Sequence, residues 1–551
     1  MKTIQIDCEK TALVMKSASI LRERGASHGG RAILQMAPGI GVEGFRIEEA
    51  GRGTVRIIGN DERGLLYGVG KFLRDPAWRG ISVPEKPIRA IYFATHFHNF
   101  YHDAPLEKVT QYIEDLALWG CNTLLVWFDR HHFAGINDPA AQAMIVRLRD
   151  LLRFAETVGI KPAAGVLANE GYATSPKELR ADWTAGHDGY FAQPCGHYHV
   201  EICPNQPGGL ELILRCHEEM LDAFRDVKIG YFSIWPYDQG GCTCSRCAPW
   251  GANGYLKVAE PLARLIRQRY PEAKIILSTW YFDHFTKGEW EGISRAFAKK
   301  PDWVDYLLAD DYGGFPEYPL EHGVPGNLSA VNFPEISMNG MGPWGGFGAN
   351  PRLVHWEAYW RGVSNRLSGG FPYSEGIYED INKVLHLQLN WNSRLTTREI
   401  AREYAASEFA PVVADEVVTV MLALEEALDH NYDYNSVGSV MAAGGFDAFQ
   451  GEAPSIFLLP KVTAPEHAAS ILRRVETQLP VAARNAWRWR ILLLRALLDE
   501  ELHRSGGRPT RLSDDYFDEL TRIFYAENAE RIVTPPSRVQ LMRVKDQMPP
   551  Q

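Results

Sequence analysis

Cysteine is scarce, apolar runs are short, and positive charge is not in surplus. Only eight cysteines occur in 551 residues, too few for the disulfide framework of a small secreted domain. No apolar run approaches the ~20 residues that cross a bilayer. The opening Met1-Lys-Thr-Ile-Gln-Ile-Asp7 has no signal-like apolar stretch, so the expected location is the cytoplasm, with no membrane partner. Lys and Arg total 58 against 68 Asp and Glu, a formal net charge of −10. Nucleic-acid recognition rests on neutralising phosphates with a basic face, so no nucleic-acid partner is expected. Gly (49) and Pro (33) are too few for a collagen-like or low-complexity chain. What remains is a multidomain globular protein.

Aromatic side chains are abundant: 15 Trp, 23 Tyr and 24 Phe. Several sit beside Gly, Pro or Asp at the ends of apolar segments, away from any periodic face, which points to a ligand-facing cleft. Residues 1–85 read as a small α/β unit. Phe45–Glu49 and Thr54–Ile58 alternate like strands, and residues 65, 66, 69, 72 and 73 fall at helical spacing behind an Asn60/Asp61 cap. Residues 86–395 alternate apolar strands with amphipathic helices. The eight strand candidates are Ala90–Thr95, Thr123–Phe128, Pro162–Ala168, Gly230–Trp235, Lys274–Trp280, Tyr306–Ala309, Ala330–Phe333 and Gly370–Tyr373. Eight β/α repeats over this length predict a closed (β/α)8 TIM barrel. A doubly wound open sheet is disfavoured, because no Gly-x-Gly-x-x-Gly turn follows the first strand. Residues 396–551 read as an all-helical third domain, with helices over Thr397–Phe409, Ala414–Leu428, Ala464–Thr477, Val481–His503 and Asp514–Ala526. Whether that region pairs with a second copy in a homo-oligomer is left open.

Barrels of this kind place chemistry where strands run into the following loops. Those positions carry His96 and His98; Asp129; Glu170; Trp235, Tyr237 and Asp238; Trp280 and Tyr281; Asp310 and Asp311; Glu335; Tyr373 and Glu375. Several carboxylates beside aromatic platforms suit glycosidic bond cleavage: one carboxylic acid protonates the leaving oxygen, and an ionised partner attacks the sugar or activates water. The expected proton donor is Asp238 or Glu375, and the expected base or nucleophile is Asp311 or Glu335. Trp235, Tyr237, Trp280, Tyr281, Trp344 and Tyr373 would line the sugar site, with His96, His98, Asp129, Glu170 and Asp310 binding hydroxyls. Glu379 and Asp380 read as first-turn residues of the last barrel helix. This chemistry needs no cofactor, and the expected partner is a carbohydrate.

Cys242, Cys244 and Cys247 crowd into one loop, and Cys203 could supply a fourth thiolate for a structural zinc site. Cys8, Cys121 and Cys216 read as small core residues. The His96-Phe-His98 pair raises an alternative, a metal-dependent hydrolase of the amidohydrolase type. A second alternative is a non-catalytic carbohydrate-binding protein.

The stretch Val55-Arg-Ile-Ile-Gly-Asn-Asp-Glu-Arg-Gly-Leu-Leu-Tyr-Gly-Val-Gly-Lys-Phe-Leu-Arg74 resembles the small α/β domain that precedes the barrel in family 20 β-hexosaminidases and microbial α-glucuronidases. The order of small domain, barrel and helical domain is similar to that of the α-glucuronidases and of the α-N-acetylglucosaminidases. The resemblance implies an exo-acting glycoside hydrolase. Family 20 enzymes carry adjacent Asp and Glu after the fourth strand, whereas the matching position here reads Asp238-Gln239, and Gln cannot protonate a leaving group. The resemblance to the α-glucuronidases implies instead an acid on strand 4 with two later carboxylates activating water, places that Asp238, Asp311 and Glu335 match.

Overall fold

The computed structural model describes residues 3–95, 99–181, 200–237, 241–284, 286–309, 314–336, 349–427, 465–505, 510–524 and 526. Five strands form the first sheet: β1 (Thr3–Ile6), β2 (Arg31–Met36), β3 (Phe45–Glu49), β4 (Thr54–Gly59) and β5 (Gly80–Ser82), in the order β1-β2-β4-β3-β5. The helix Glu62–Arg74 covers it. Asp61 caps that helix by accepting from Gly64 N at 2.9 Å, and its other oxygen takes Glu43 N at 2.7 Å. A Cβ at Gly70 would lie 2.3 Å from the carbonyl oxygen of Leu118, so only glycine lets this helix meet the barrel helix Leu106–Leu118. That contact gives the Tyr-Gly-Val-Gly motif a packing reason.

Nine further strands close a barrel: β6 (Ile88–Phe93), β7 (Thr123–Trp127), β8 (Lys161–Leu167), β9 (Tyr231–Trp235), β10 (Lys274–Ser278), β11 (Tyr306–Leu308), β12 (Ser329–Asn332), β13 (Leu367–Gly370) and β14 (Tyr373–Ser374). Neighbours are parallel throughout, and both β13 and β14 pair with β6. The fold is the predicted (β/α)8 barrel with an additional α/β sheet before it and helices after it.

The eighth strand departs from expectation by dividing in two. Gly369 has φ 134°, and a Cβ there would meet the Ile88 carbonyl oxygen at 1.8 Å, so the backbone twists at the closing seam. Pro372 has no N–H for the ladder, yet its carbonyl still accepts from Tyr92 N at 2.9 Å, which carries the pairing from β13 into β14.

Two buried ionic contacts join these layers. Arg89, on β6 and fully buried, donates to Glu43 of the first unit, to Gly120 O at 2.9 Å and to Lys86 O at 2.8 Å. Burial alone would push the Glu43 carboxyl up, but the Arg89 and Arg63 guanidiniums overcome it and hold the group below its ordinary value. On the opposite flank, Arg488 reaches Asp380 at 2.7 Å, Asp115 at 3.0 Å and Glu408 at 3.5 Å. Tyr112 and Tyr404 each donate to Asp380 at 2.7 Å. Asp380 opens the helix Asp380–Trp391, as its first-turn reading expects, and there it serves as the anchor for Arg488.

The helix expected over Val481–His503 is interrupted. It runs as Val481–Arg484 and Trp487–Arg504, with Ala486 extended at φ −70°, ψ 139°. The break sets Trp487 edge-on to Tyr112, ring centroids 5.8 Å apart, and delivers Arg488 to its carboxylates. Tertiary pairing here overrides a helical apolar pattern. Among the described residues no helix is long and apolar enough to cross a membrane.

Candidate active site at the barrel mouth

The carboxyl ends of the strands converge on an aromatic wall. Phe333, just past β12, contacts Trp235 (ring centroids 4.7 Å), Trp280 (5.5 Å), Tyr92 (5.6 Å) and Tyr373 (5.5 Å). Trp235 and Trp280 lie 6.2 Å apart, inclined by 29°, and Tyr281 packs 4.6 Å from Trp280 with a left-handed φ of 59°. These residues come from β6, β9, β10, β12 and β14, so the barrel itself assembles the wall.

Two acids stand beside it. Pro334 O accepts from Tyr373 N at 2.9 Å, Ile336 N donates to Tyr373 O at 3.2 Å, and Glu335 bridges to Tyr373 in parallel. The Tyr373 hydroxyl donates to Glu375 Oε1 at 2.8 Å. Tyr373 thus stands between Glu335 and Glu375, both of them buried. Burial, then the charge of Glu375, pushes the Tyr373 hydroxyl well above the phenolic range, so it remains a donor at neutral pH.

The ends of β7 and β8 form a second polar group. Glu170 is 0% exposed; its Oε1 lies 2.8 Å from His131 Nδ1 and accepts from Arg130 N at 3.1 Å. Asp129 Oδ2 lies 3.0 Å from His132 Nε2 and 4.0 Å from His131 Nε2. Arg130, also buried, approaches His217 at 3.2 Å. Burial, followed by the Arg130 charge, drives His217 well below the imidazole range, so it is neutral. Glu170, expected to bind sugar hydroxyls, is held here through Oε1 by His131 and the Arg130 backbone N–H. His131 and His132 close the same strand end as Asp129 in the sequence, which assigns them no specific role. Adjacency alone does not show which of two neighbouring histidines turns toward a carboxylate.

Tyr237 is fully buried, and its hydroxyl donates to Glu289 at 2.5 Å. Glu289 also accepts from Gly251 N at 2.6 Å and Asp283 N at 2.9 Å, which ties the loops after β9 and β10 together. Nothing in the sequence marks Glu289, because its role exists only through these three tertiary donors. Burial raises its carboxyl to about 7, outweighing the donated hydrogen bonds. A folded pKa above the unfolded value means the native state holds the extra proton. Stability from this group is full below about pH 4.5 and is lost as pH rises toward 7. In Glu289→Gln, melting temperature followed across that interval should lose this component of its slope; an unchanged slope would assign the dependence elsewhere.

Of the expected site residues, the structure groups Trp235, Trp280, Tyr281, Glu335, Tyr373 and Glu375 at the wall, and Asp129 with Glu170 at the second cluster. His96, His98, Asp238, Asp310, Asp311 and Trp344 lie outside the described residues. The four expected metal-binding cysteines meet: Cys203 Sγ lies 3.9 Å from Cys244 Sγ and 3.8 Å from Cys247 Sγ, and Cys242 completes the group.

No family model and no curated protein matches the chain. Solved structures do. A family 115 4-O-methyl-α-glucuronidase with specificity for decorated arabinogalactans superposes with TM-score 0.59 at 10% identity, covering 100% of this chain and 79% of its own. A family 138 enzyme targeting pectin rhamnogalacturonan II gives 0.56 at 10% identity, covering 99% and 73%. A mutant Streptomyces plicatus β-hexosaminidase in complex with its product GlcNAc gives 0.50 at 14% identity, covering 75% and 91%. At such identities these likenesses establish a shared fold.

Proposed function

We propose that the chain is an exo-acting glycoside hydrolase whose reaction is carried by carboxylates at the barrel mouth. The observation that carries this reading is the Glu335–Tyr373–Glu375 arrangement against the Trp235/Trp280/Phe333 wall. Glycosidic cleavage needs an acid and an ionised carboxylate beside a surface that receives the flat apolar face of a sugar. Glu375 accepts the Tyr373 hydroxyl, a bond that favours a carboxylate in its ionised form, so we assign it the charged role beside the oxocarbenium-like transition state. Glu335 is then the acid among the described residues, which exchanges the roles expected from the sequence, where Glu375 or Asp238 is the donor and Glu335 or Asp311 the base or nucleophile. The fold likeness to an α-glucuronidase and a pectin-targeting enzyme supports a uronic-acid-bearing or related polysaccharide as the substrate class.

The test is a screen of the purified full chain against aryl α- and β-glycosides, glucuronides and N-acetylhexosaminides included, followed by the corresponding oligosaccharides. Hydrolysis of one class establishes the reading; absence of turnover on every class overturns it in favour of a carbohydrate-binding role. Tyr373→Phe refines the assignment. Losing the donor to Glu375 should move the acid limb of the pH–rate profile to higher pH, with a smaller effect on KM than on kcat. An unmoved limb would take Glu375 out of the charged role.

A metal-dependent hydrolase is the second reading, favoured by Asp129, His131 and His132, whose ligand atoms lie within 4.8 Å of one another. It predicts that a chelator abolishes turnover while the protein stays folded.

A further inference from the structure

We infer that Cys203, Cys242, Cys244 and Cys247 form a mononuclear tetrathiolate site for zinc that locks the loops following β8 and β9. A cation about 2.3 Å from four thiolates at the corners of a tetrahedron holds them about 3.8 Å from one another. Cys203 Sγ lies 3.9 Å from Cys244 Sγ and 3.8 Å from Cys247 Sγ, and all four sulfurs lie within 4.8 Å of each other. A disulfide would need about 2.05 Å. A polynuclear iron–sulfur cluster would spread its thiolates around several atoms and hold them farther apart.

The surroundings are those of a built site. Cys203, Cys242 and Cys247 are buried, and Cys244 is half-buried. Asn205 Nδ2 donates to Cys247 Sγ at 3.1 Å and to Arg246 O at 3.2 Å. Such donors to sulfur orient and neutralise metal thiolates. Cys247 N and Ala248 N both donate to Cys244 O, at 2.8 and 2.9 Å, which folds Cys244-Ser-Arg-Cys247 into a turn that aims both sulfurs one way.

Four thiolates gathered in one largely buried group need a cation to neutralise them.

The clamp acts on the barrel mouth through Asn169, which follows β8. Its side-chain amide donates to Ile202 O and Gly241 O, each at 3.0 Å, and its carbonyl accepts from Ile202 N at 2.7 Å. Asn169 therefore holds both thiol-bearing segments against the strand end. Trp250 Nε1 donates to Pro236 O at 2.8 Å and ties the loop back to the residue after Trp235.

The full chain, purified anaerobically in reductant without added metal, should contain one equivalent of zinc by elemental analysis. Cobalt exchanged into it should show thiolate charge-transfer and tetrahedral d–d bands. Cys203→Ser should lose the metal. Cys244→Ser, at the half-buried corner, keeps the variant set informative if Cys203→Ser fails to fold, and it should lose most of the zinc and alter the cobalt spectrum. Cys216→Ser, outside the cluster, should retain both signals. Folded protein in which reagent titrates all four thiols and no metal is present would overturn the site. So would mapped disulfides among the four, or stoichiometric iron in place of zinc. These readouts do not depend on turnover, so a failed glycoside screen leaves them standing. Activity lost to chelator together with a fall in melting temperature belongs to this clamp, and activity lost without that fall belongs to a catalytic metal.

Discussion

Glu335→Gln and Glu375→Gln should each lower kcat/KM on the cognate glycoside by about 10³-fold or more, with KM changed little. General acid or base catalysis contributes about 10²–10⁴-fold, and loss of a covalent or charge-stabilising carboxylate costs at least as much. Gln keeps the shape and the hydrogen-bonding reach of Glu, so the wall and the Tyr373 contact should survive. The two variants should also differ in a way that separates their roles. An aryl leaving group of low pKa needs little protonation, so activity in Glu335→Gln should recover on such substrates, whereas Glu375→Gln should stay inactive on all of them. Azide added to Glu375→Gln tests whether that carboxylate is a nucleophile: a rescued glycosyl azide of inverted configuration marks a retaining mechanism. If both variants keep wild-type turnover, the chemistry belongs to Asp238 and Asp311 or to a metal.

Arg488→Ala should destabilise the protein by about 3–5 kcal/mol, the range seen when one partner of a buried ionic group is removed. The substitution leaves Asp380, Asp115 and Glu408 facing one another with their shared cation gone. Asp380 is the most exposed to this change in energy terms. Burial pushes its carboxyl up, and Arg488 with Lys383 holds it below the ordinary aspartate value. A depressed folded pKa gives stability that is present above the unfolded value and is lost as pH falls through the folded one. The variant should therefore fall furthest below wild type near neutral pH, and the gap should narrow in acid as Asp380 takes up a proton. Chemical denaturation of the full chain at two pH values measures both. An alanine variant within about 0.5 kcal/mol of wild type, as for an ordinary surface change, would show that the three carboxylates are hydrated.

The strands of the barrel were legible because each is a short, nearly continuous apolar run buried on both faces, the pattern a parallel sheet requires. Seven of the eight appear within two residues of their expected ends. The eighth was placed but not divided, since the break depends on how close the Ile88 carbonyl comes to Gly369. The helix break at Ala486 was hidden for a related reason: its cause is a set of carboxylates more than 70 residues away in sequence. Glu335, Tyr373 and Glu375 could be singled out because they sit at strand ends, which the fold brings together. Cys203 was paired with the cysteine loop on composition alone, and the fold brings the sulfurs together. The role of His131 and the presence of Glu289 at the site are not legible in sequence, because each gains its part only from partners on other strands and loops.

Arg89 is buried where the base of the barrel meets the leading unit, against Tyr67 and Trp391, and its counter-charge, Glu43, belongs to that leading unit. The leading unit is consequently not an interchangeable cassette. A barrel cut free of it would lose both the acid that pairs with Arg89 and the Tyr67 ring that covers it, and a foreign leader would have to bring an acid and a cover to that same point. The border between the two parts is thus a boundary in topology but not in charge balance.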